Sequence, residues 1–194
     1  MKKIILASNN KHKVEEFKQM LTDYEILTME DVGYSDDIIE DGETFLDNAL
    51  IKAKAVTKFL NEKGIMATVV ADDSGLCVNA LGGAPGVHSA RYAGDHNTEA
   101  NRQKLLDELK DKQDRSAYFV TVLVEMQNDY SYNFYEGKTF GHITKEVLGN
   151  TGFAYDPLFY SDELGMTFGQ ASPEQKNSVS HRARAIQKLK EKRC

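Results

Sequence analysis

Asp72 and Asp73 follow the apolar run MATVVA directly and are followed in turn by Ser74 and Gly75. Neighbouring side chains in a strand point to opposite faces, so two adjacent carboxylates turn the same way only where the strand has ended. A carboxylate at a strand end, beside a flexible Ser-Gly, can hold Mg²⁺ through oxygen while the ion keeps several waters. An Asp-Ser-Gly surface turn is the plainer alternative. That turn leaves unexplained the segment downstream, LCVNALGGAPGVHSARYAG, with its many glycines and Arg91.

Four further stretches carry groups of the same chemical kind. Asp36, Asp37, Glu40, Asp41 and Glu43 form an acidic run, mostly a solvated loop, from which one member can complete a metal site with Asp73. The loop SNNKHK, Ser8 to Lys13, opens a helix with cations where the helix dipole prefers acids. An anion docked on the helix N-terminus would give those cations a reason, although the loop is not a Walker P-loop. GFAYDP, Gly152 to Pro157, sets Phe153 and Tyr155 around a small residue, so an aromatic face can stack on a planar base. In KNSVSHRARA, Lys176, His181 and Arg182 are expected at or just before a helix start, again suited to an anionic or acceptor-rich partner. Ser74, His181 and the aspartates also raise a serine hydrolase. The context D-S-G lacks the G-x-S-x-G elbow and nothing pairs His181 with Ser74, which argues against it.

The elements that must position these groups follow from apolar spacing. KKIILA is a buried strand, and KHKVEEFKQML an amphipathic helix with Val14, Phe17 and Leu21 inward. EILTM is a second strand. A long helix capped by Thr44, with Asp47 as a capping-box acid and Gly64 as its stop, buries Phe45, Ala49, Ala53, Val56 and Leu60. MATVVA is a strand ending at the aspartates, with LCVNAL a second short one. A helix over NTEANRQKLLDELK buries Leu105, Leu106 and Leu109, and a hairpin turning at Asn128-Asp129 joins two β-rich runs. A C-terminal helix buries Ala183, Ile186 and Leu189 and exposes a basic face. This is an α/β pattern, without repeats or linkers, for a single domain over residues 1–194.

Composition narrows the partners. The 194 residues are 41% hydrophobic and 28% charged, as in globular proteins, and a net charge of −6 disfavours non-specific nucleic-acid binding while allowing a small anionic substrate at a local cluster of cations. No apolar run suits a membrane span or signal peptide, so a cytoplasmic location is expected. Cys77, in an apolar context, and Cys194, at the tail, suggest neither a disulfide framework nor a zinc site.

The stretches SNNKHKVEE, GETFLDNALIKA, ADDSGLCVNALGGAPGVHSARYAG, GFAYDPLF and KNSVSHRARA, in this order, resemble the Ham1-like inosine triphosphate pyrophosphatase family. The resemblance implies two α/β lobes around a long mixed β-sheet flanked by helices, with the active site in the cleft between the lobes, a homodimer, and Mg²⁺ as cofactor. It implies hydrolysis of ITP, dITP and XTP to the monophosphate and pyrophosphate. Carried over by position, Asp73 is the catalytic carboxylate and, with Glu40, a metal ligand. Ser8, Asn9, Asn10, Lys11, His12 and Lys13 form the triphosphate loop, and Lys52 is a further phosphate contact. Ser74, Phe153, Ala154, Tyr155, Asp156, Lys176, His181 and Arg182 complete the nucleotide site. The chain departs from the family at Ile39-Glu40-Asp41-Gly42, where E-E-T-G is common and the metal-binding acid shifts by up to one residue, and at Ala154, where glycine is common.

Overall fold

Ile4, Ile5 and Leu6 are buried on both sides of the first strand, which is why it reads as an unbroken apolar run. The computed structural model describes residues 2–94 and 97–192; Cys194 lies outside the described residues. The strands are β1 (Lys2–Leu6), β2 (Tyr24–Thr28), β3 (Thr68–Val78), β4 (Ser116–Met126), β5 (Tyr132–Ile143), β6 (Phe159–Ser161) and β7 (Met166–Thr167). The helices are α1 (Lys11–Met20), α2 (Phe45–Glu62), α3 (Thr98–Glu108), α4 (Pro173–Val179) and α5 (His181–Glu191). The strands form one sheet in the order β2-β1-β3-β4-β5-β6-β7. β1 runs parallel to β2 and β3, while β6 runs antiparallel to β5 and β7, so the sheet is mixed.

The chain divides into two compact units, one of Met1–Asp73, Val122–Glu136 and Ala185–Cys194, the other of Ser74–Thr121 and Gly137–Arg184. In the first, Ile5, Val69 and Ala71 pack on Ala49, Ala53, Val56 and Leu60 of α2. On the opposite face Ile4, Leu6 and Val70 meet Phe17 and Leu21, at the end of α1, and Ile186 and Leu189 of α5. The expected capping box closes the start of α2: the Thr44 hydroxyl accepts the Asp47 N–H at 3.1 Å and the Asp47 carboxylate accepts the Thr44 N–H at 3.1 Å. At the other end the Ile65 N–H donates back to the Leu60 carbonyl at 2.9 Å, with Gly64 between them.

The core of the second unit joins Leu76 and Val78 to Leu105, Leu109, Phe119, Phe159 and Phe168. The unexplained segment after Gly75 is a folding device here. The Ser89 hydroxyl accepts the Leu76 N–H at 2.9 Å and donates to the Gly86 carbonyl at 2.6 Å, while the Asn101 amide of α3 holds Ala90 O and Ala93 N–H.

Several expectations change. β3 does not end at the aspartates; it continues through Ser74 and Gly75 to Val78, joining the two short strands expected there. Lys176 lies not at a helix start but in the last turn of α4, because Ser172 and Pro173 begin a separate short helix ahead of α5. On α5 the fully buried alanine is Ala185, and Ala183 is half-buried. No helix among the described residues is long and apolar enough to cross a membrane.

Candidate active site

Because β3 is continuous, alternation decides the fate of the two aspartates. Asp72 shares a face with Val70 and turns toward α1; Asp73 shares a face with Val69 and Ala71 and turns toward α2. The Asp72 carboxylate, fully buried, meets Lys13 Nζ at 3.0 Å. This supplies part of the reason for a cation in the first turn of α1, where no acidic side chain stands. Removing one partner of such a pair leaves a buried charge uncompensated, which costs about 3–5 kcal/mol, so the Lys13 side chain is held firmly.

On the α2 face, Asp73 receives a hydrogen bond from Asn48 Nδ2 at 3.1 Å and has Lys52 Nζ 3.7 Å from its other oxygen. Lys52 in turn donates to Glu40 Oε2 at 2.6 Å. Burial pushes the Asp73 carboxyl above the usual carboxylate range; Lys52 and Lys13 pull it down, Glu40 pushes it up, Asn48 lowers it, and burial prevails. Burial also opposes the charge on Lys52, but Asp73, Asp72 and Glu40 outweigh it and hold the ammonium above its ordinary value. Glu40 therefore faces Lys52, whereas Asp41 is exposed.

Two carboxylates converging on one ammonium present the hard oxygen donors that Mg²⁺ takes. Among the described residues no group of three or more His, Cys, Asp and Glu side chains gathers, so water and phosphate oxygens would fill the remaining positions. The two carboxylates suit that ion once Lys52 Nζ, which stands between them at 2.6 and 3.7 Å, gives way to it.

In the opening loop the Asn10 side chain accepts the Lys13 N–H at 3.2 Å and so caps α1. Ser8 accepts the Asn10 N–H at 3.3 Å, and Asn9, Lys11 and His12 are exposed around it.

The remaining residues assemble in the second unit. Gly152 has a φ of 73°, and a Cβ there would run into the Asp156 carboxylate at 2.2 Å. That carboxylate accepts the Phe153 N–H at 2.8 Å and the Lys176 ammonium at 2.9 Å, so Asp156 ties the turn to α4. The Phe153 ring is half-buried, with Lys176 Nζ 5.2 Å from its centre. Tyr155 corrects the idea of two stacking rings: it is 2% exposed in the core, and its hydroxyl donates to the Ser89 carbonyl at 2.9 Å. Ala154 is left-handed at φ 52°, and its carbonyl accepts a hydrogen bond from Arg102 Nε.

At the start of α5, His181 stacks on Phe119 with centroids 4.8 Å apart, and Arg182 donates to the Ser74 hydroxyl at 3.2 Å. Ser74 also shares a 2.7 Å hydrogen bond with Thr121. A serine held by a guanidinium and a second hydroxyl is not arranged as a hydrolase nucleophile. Arg182 and His181 are buried, so the basic face read from the sequence is in part an internal one. Sequence reasoning missed Asn48, Arg102, Phe119 and Thr121. Asn48 alone left a signal, a polar residue one turn before Lys52 beside the apolar stripe of Ala49, Ala53, Val56 and Leu60.

The fold is α/β, and each of the two units carries its own cluster of buried charged side chains, Asp72, Asp73 and Lys52 in the first and Asp156, Lys176 and Arg182 in the second. The Ham1 family model matches residues 4–192, and the chain belongs to that family. A Clostridium perfringens dITP/XTP pyrophosphatase is 47% identical over 98% of this chain and 97% of its own length. A Staphylococcus aureus dITP/XTP pyrophosphatase is 43% identical over 97% of this chain and 95% of its own. The solved structure of the Staphylococcus aureus Ham1 protein superposes with a TM-score of 0.86 at 43% identity, covering 97% of this chain and 96% of that one.

Proposed function

We propose that this protein is a nucleoside triphosphate pyrophosphohydrolase that clears dITP, ITP and XTP from the cytoplasmic nucleotide pool, giving the monophosphate and pyrophosphate. The observation that carries the reading is Asp73, a nearly buried carboxyl raised above its ordinary value beside Lys52 and Glu40, in a chain 47% identical to a dITP/XTP pyrophosphatase. Attack of water in line on the α phosphorus forms the new P–O bond, breaks the bond to the bridging oxygen, and leaves pyrophosphate carrying the charge. Asp73, oriented by Asn48 and Lys52, accepts the proton of that water. Lys13 and Lys52 bind phosphate oxygens, as do the N–H groups at the start of α1. Mg²⁺, when bound by Asp73 and Glu40, supplies neutralisation of the triphosphate charge.

The base is read in the second unit. Phe153 offers a ring to stack on, and Arg182, His181 and nearby N–H groups offer donors to a 6-oxo acceptor. A 6-amino group would leave such buried donors unpaired at about 1–3 kcal/mol each, or roughly 10- to 100-fold in selectivity. Ser8, Asn9, Lys11 and His12 line the phosphate end in this reading; Asn10, Asp156, Ala154, Tyr155 and Ser74 shape the site through the bonds described above. We also infer a homodimer, which the exposed Tyr132 and Phe134 on one face of β5 favour.

Pyrophosphate release from ITP, dITP, XTP, GTP, ATP and dUTP tests the assignment in one assay. ITP, dITP and XTP are expected to turn over at least tenfold faster than ATP in terms of kcat/KM, in line with one unpaired donor. EDTA is expected to stop the reaction and Mg²⁺ to restore it. Binding without turnover would mark a nucleotide sensor, a preference for dUTP a pyrimidine enzyme, and either would overturn the reading.

A further inference from the structure

Asn48 lies outside the residues that touch a nucleotide in the proposed reaction, yet it is 1% exposed and both ends of its amide are used. Its Nδ2 donates to Asp73 Oδ2 at 3.1 Å, and its Oδ1 accepts the Gly42 N–H at 2.8 Å. The partners fix the amide orientation, since a carboxylate can only accept and an N–H can only donate. Gly42 stands two residues after Glu40, so a single buried amide spans from the loop that bears one carboxylate to the strand that bears the other.

The fit at Gly42 is tight. A Cβ there would meet Asn48 Oδ1 and Asp47 Cβ, each at 2.7 Å, so the loop approaches α2 this closely only with glycine at that position. Asn48 projects from the first turn of α2, held by its own contacts to Gly42 and Asp73, and Lys52 follows it one turn later on the same face. The Ile39-Glu40-Asp41-Gly42 departure thus ends in a residue whose backbone is anchored, which sets where Glu40 stands in the chain.

We propose that Asn48 is a positioning residue for the reaction, holding Asp73 and the Glu40 loop in one fixed arrangement. This rests on the proposed reading of Asp73 and Glu40 as the acid cluster of a pyrophosphohydrolase. Partners that orient ligating groups in this way typically change metal affinity or activity by about 10- to 100-fold when lost.

The test compares Asn48→Ala, Gly42→Ala and Thr44→Ala with the parent chain. Folding is followed by thermal unfolding, turnover with Mg²⁺ and ITP, and cation binding by Mn²⁺ electron paramagnetic resonance with the non-hydrolysable α,β-methylene analogue of ITP. Asn48→Ala is expected to lower kcat by about 10- to 100-fold and weaken Mn²⁺ by about tenfold, with KM within about threefold because the lysines and the base site are untouched. Gly42→Ala keeps the amide but pushes the loop away from Asn48 Oδ1 and Asp47 Cβ, and should move kcat and Mn²⁺ in the same direction by less. Thr44→Ala should lower the melting temperature and leave kcat and Mn²⁺ binding alone. Unchanged kcat and Mn²⁺ affinity in Asn48→Ala would overturn the proposal, as would the same losses in Thr44→Ala. If Asn48→Ala does not fold, Gly42→Ala decides by the same two measures. Should the parent chain fail to release pyrophosphate from ITP or XTP, the reaction assigned above falls, while the Mn²⁺ comparison still decides the role of Asn48.

Discussion

Burial disfavours the charge on Asp73, and two lysines only partly offset that. Its carboxyl binds a proton more tightly in the folded chain than in the unfolded one. Between the ordinary carboxylate pKa of about 4 and the raised value, the folded state therefore gains stability as pH falls and loses it as pH rises. The neutral isostere Asp73→Asn escapes that penalty. At pH 7.5 it is expected to melt at or above the parent temperature, a difference that closes as pH drops below the ordinary carboxylate range, while turnover falls by more than about a hundredfold. A calorimetric melt at pH 4 and 7.5 beside the pyrophosphate assay checks both; a lower melting temperature at pH 7.5 or retained turnover would remove Asp73 from this role. The types of these residues were legible in the sequence, but not their pairing. The sequence left Asp72 without a partner, and the structure pairs it with Lys13, because alternation on an unbroken strand sends it to the face opposite Asp73.

At the scale of elements, the turn from Gly152 to Tyr155 carries a constrained backbone. Ala154 sits at φ 52°, where its Cβ crowds the following carbonyl at roughly 1–2 kcal/mol. It stays there because Arg102 binds its carbonyl and Asp156 binds the Phe153 N–H on its other side. Ala154→Gly removes the clash and regains less than the full amount, since glycine loses more chain entropy on folding. The expected result is a melting temperature about 1–3 °C higher with KM for ITP within about twofold, measured by calorimetry and steady-state kinetics. A lower melting temperature would show that the turn depends on the Ala154 methyl. The helices that flank the site were read correctly from spacing and caps, α2 above all, since the Thr44–Asp47 box is a local signal. Lys176 was misplaced because Ser172-Pro173 starts a seven-residue helix too short to show an apolar period.

For the molecule as a whole, the boundary between the two compact units falls between Asp73 and Ser74, inside one strand, and a single family model runs through both. Association is the property at this scale that a substitution can test. Phe134 is 56% exposed on the same face of β5 as Tyr132. Phe134→Glu should convert a dimer to a monomer by light scattering after size exclusion, with the melting temperature little changed, since an exposed position gains no desolvation penalty in the monomer. A monomeric parent chain would refute the dimer. The sequence by itself determined the α/β class, the helices α1, α2, α3 and α5, the cap of α2, and the order of motifs that marks the family, because each of these is written in residues close together along the chain. Only the tertiary structure decided that β3 runs on through both aspartates, that Tyr155 belongs to the core, that Lys176 lies against Asp156, and that Asn48 joins the Glu40 loop to Asp73. Those facts depend on which distant groups meet, and burial and hydrogen-bond geometry select among pairings that local pattern leaves equal.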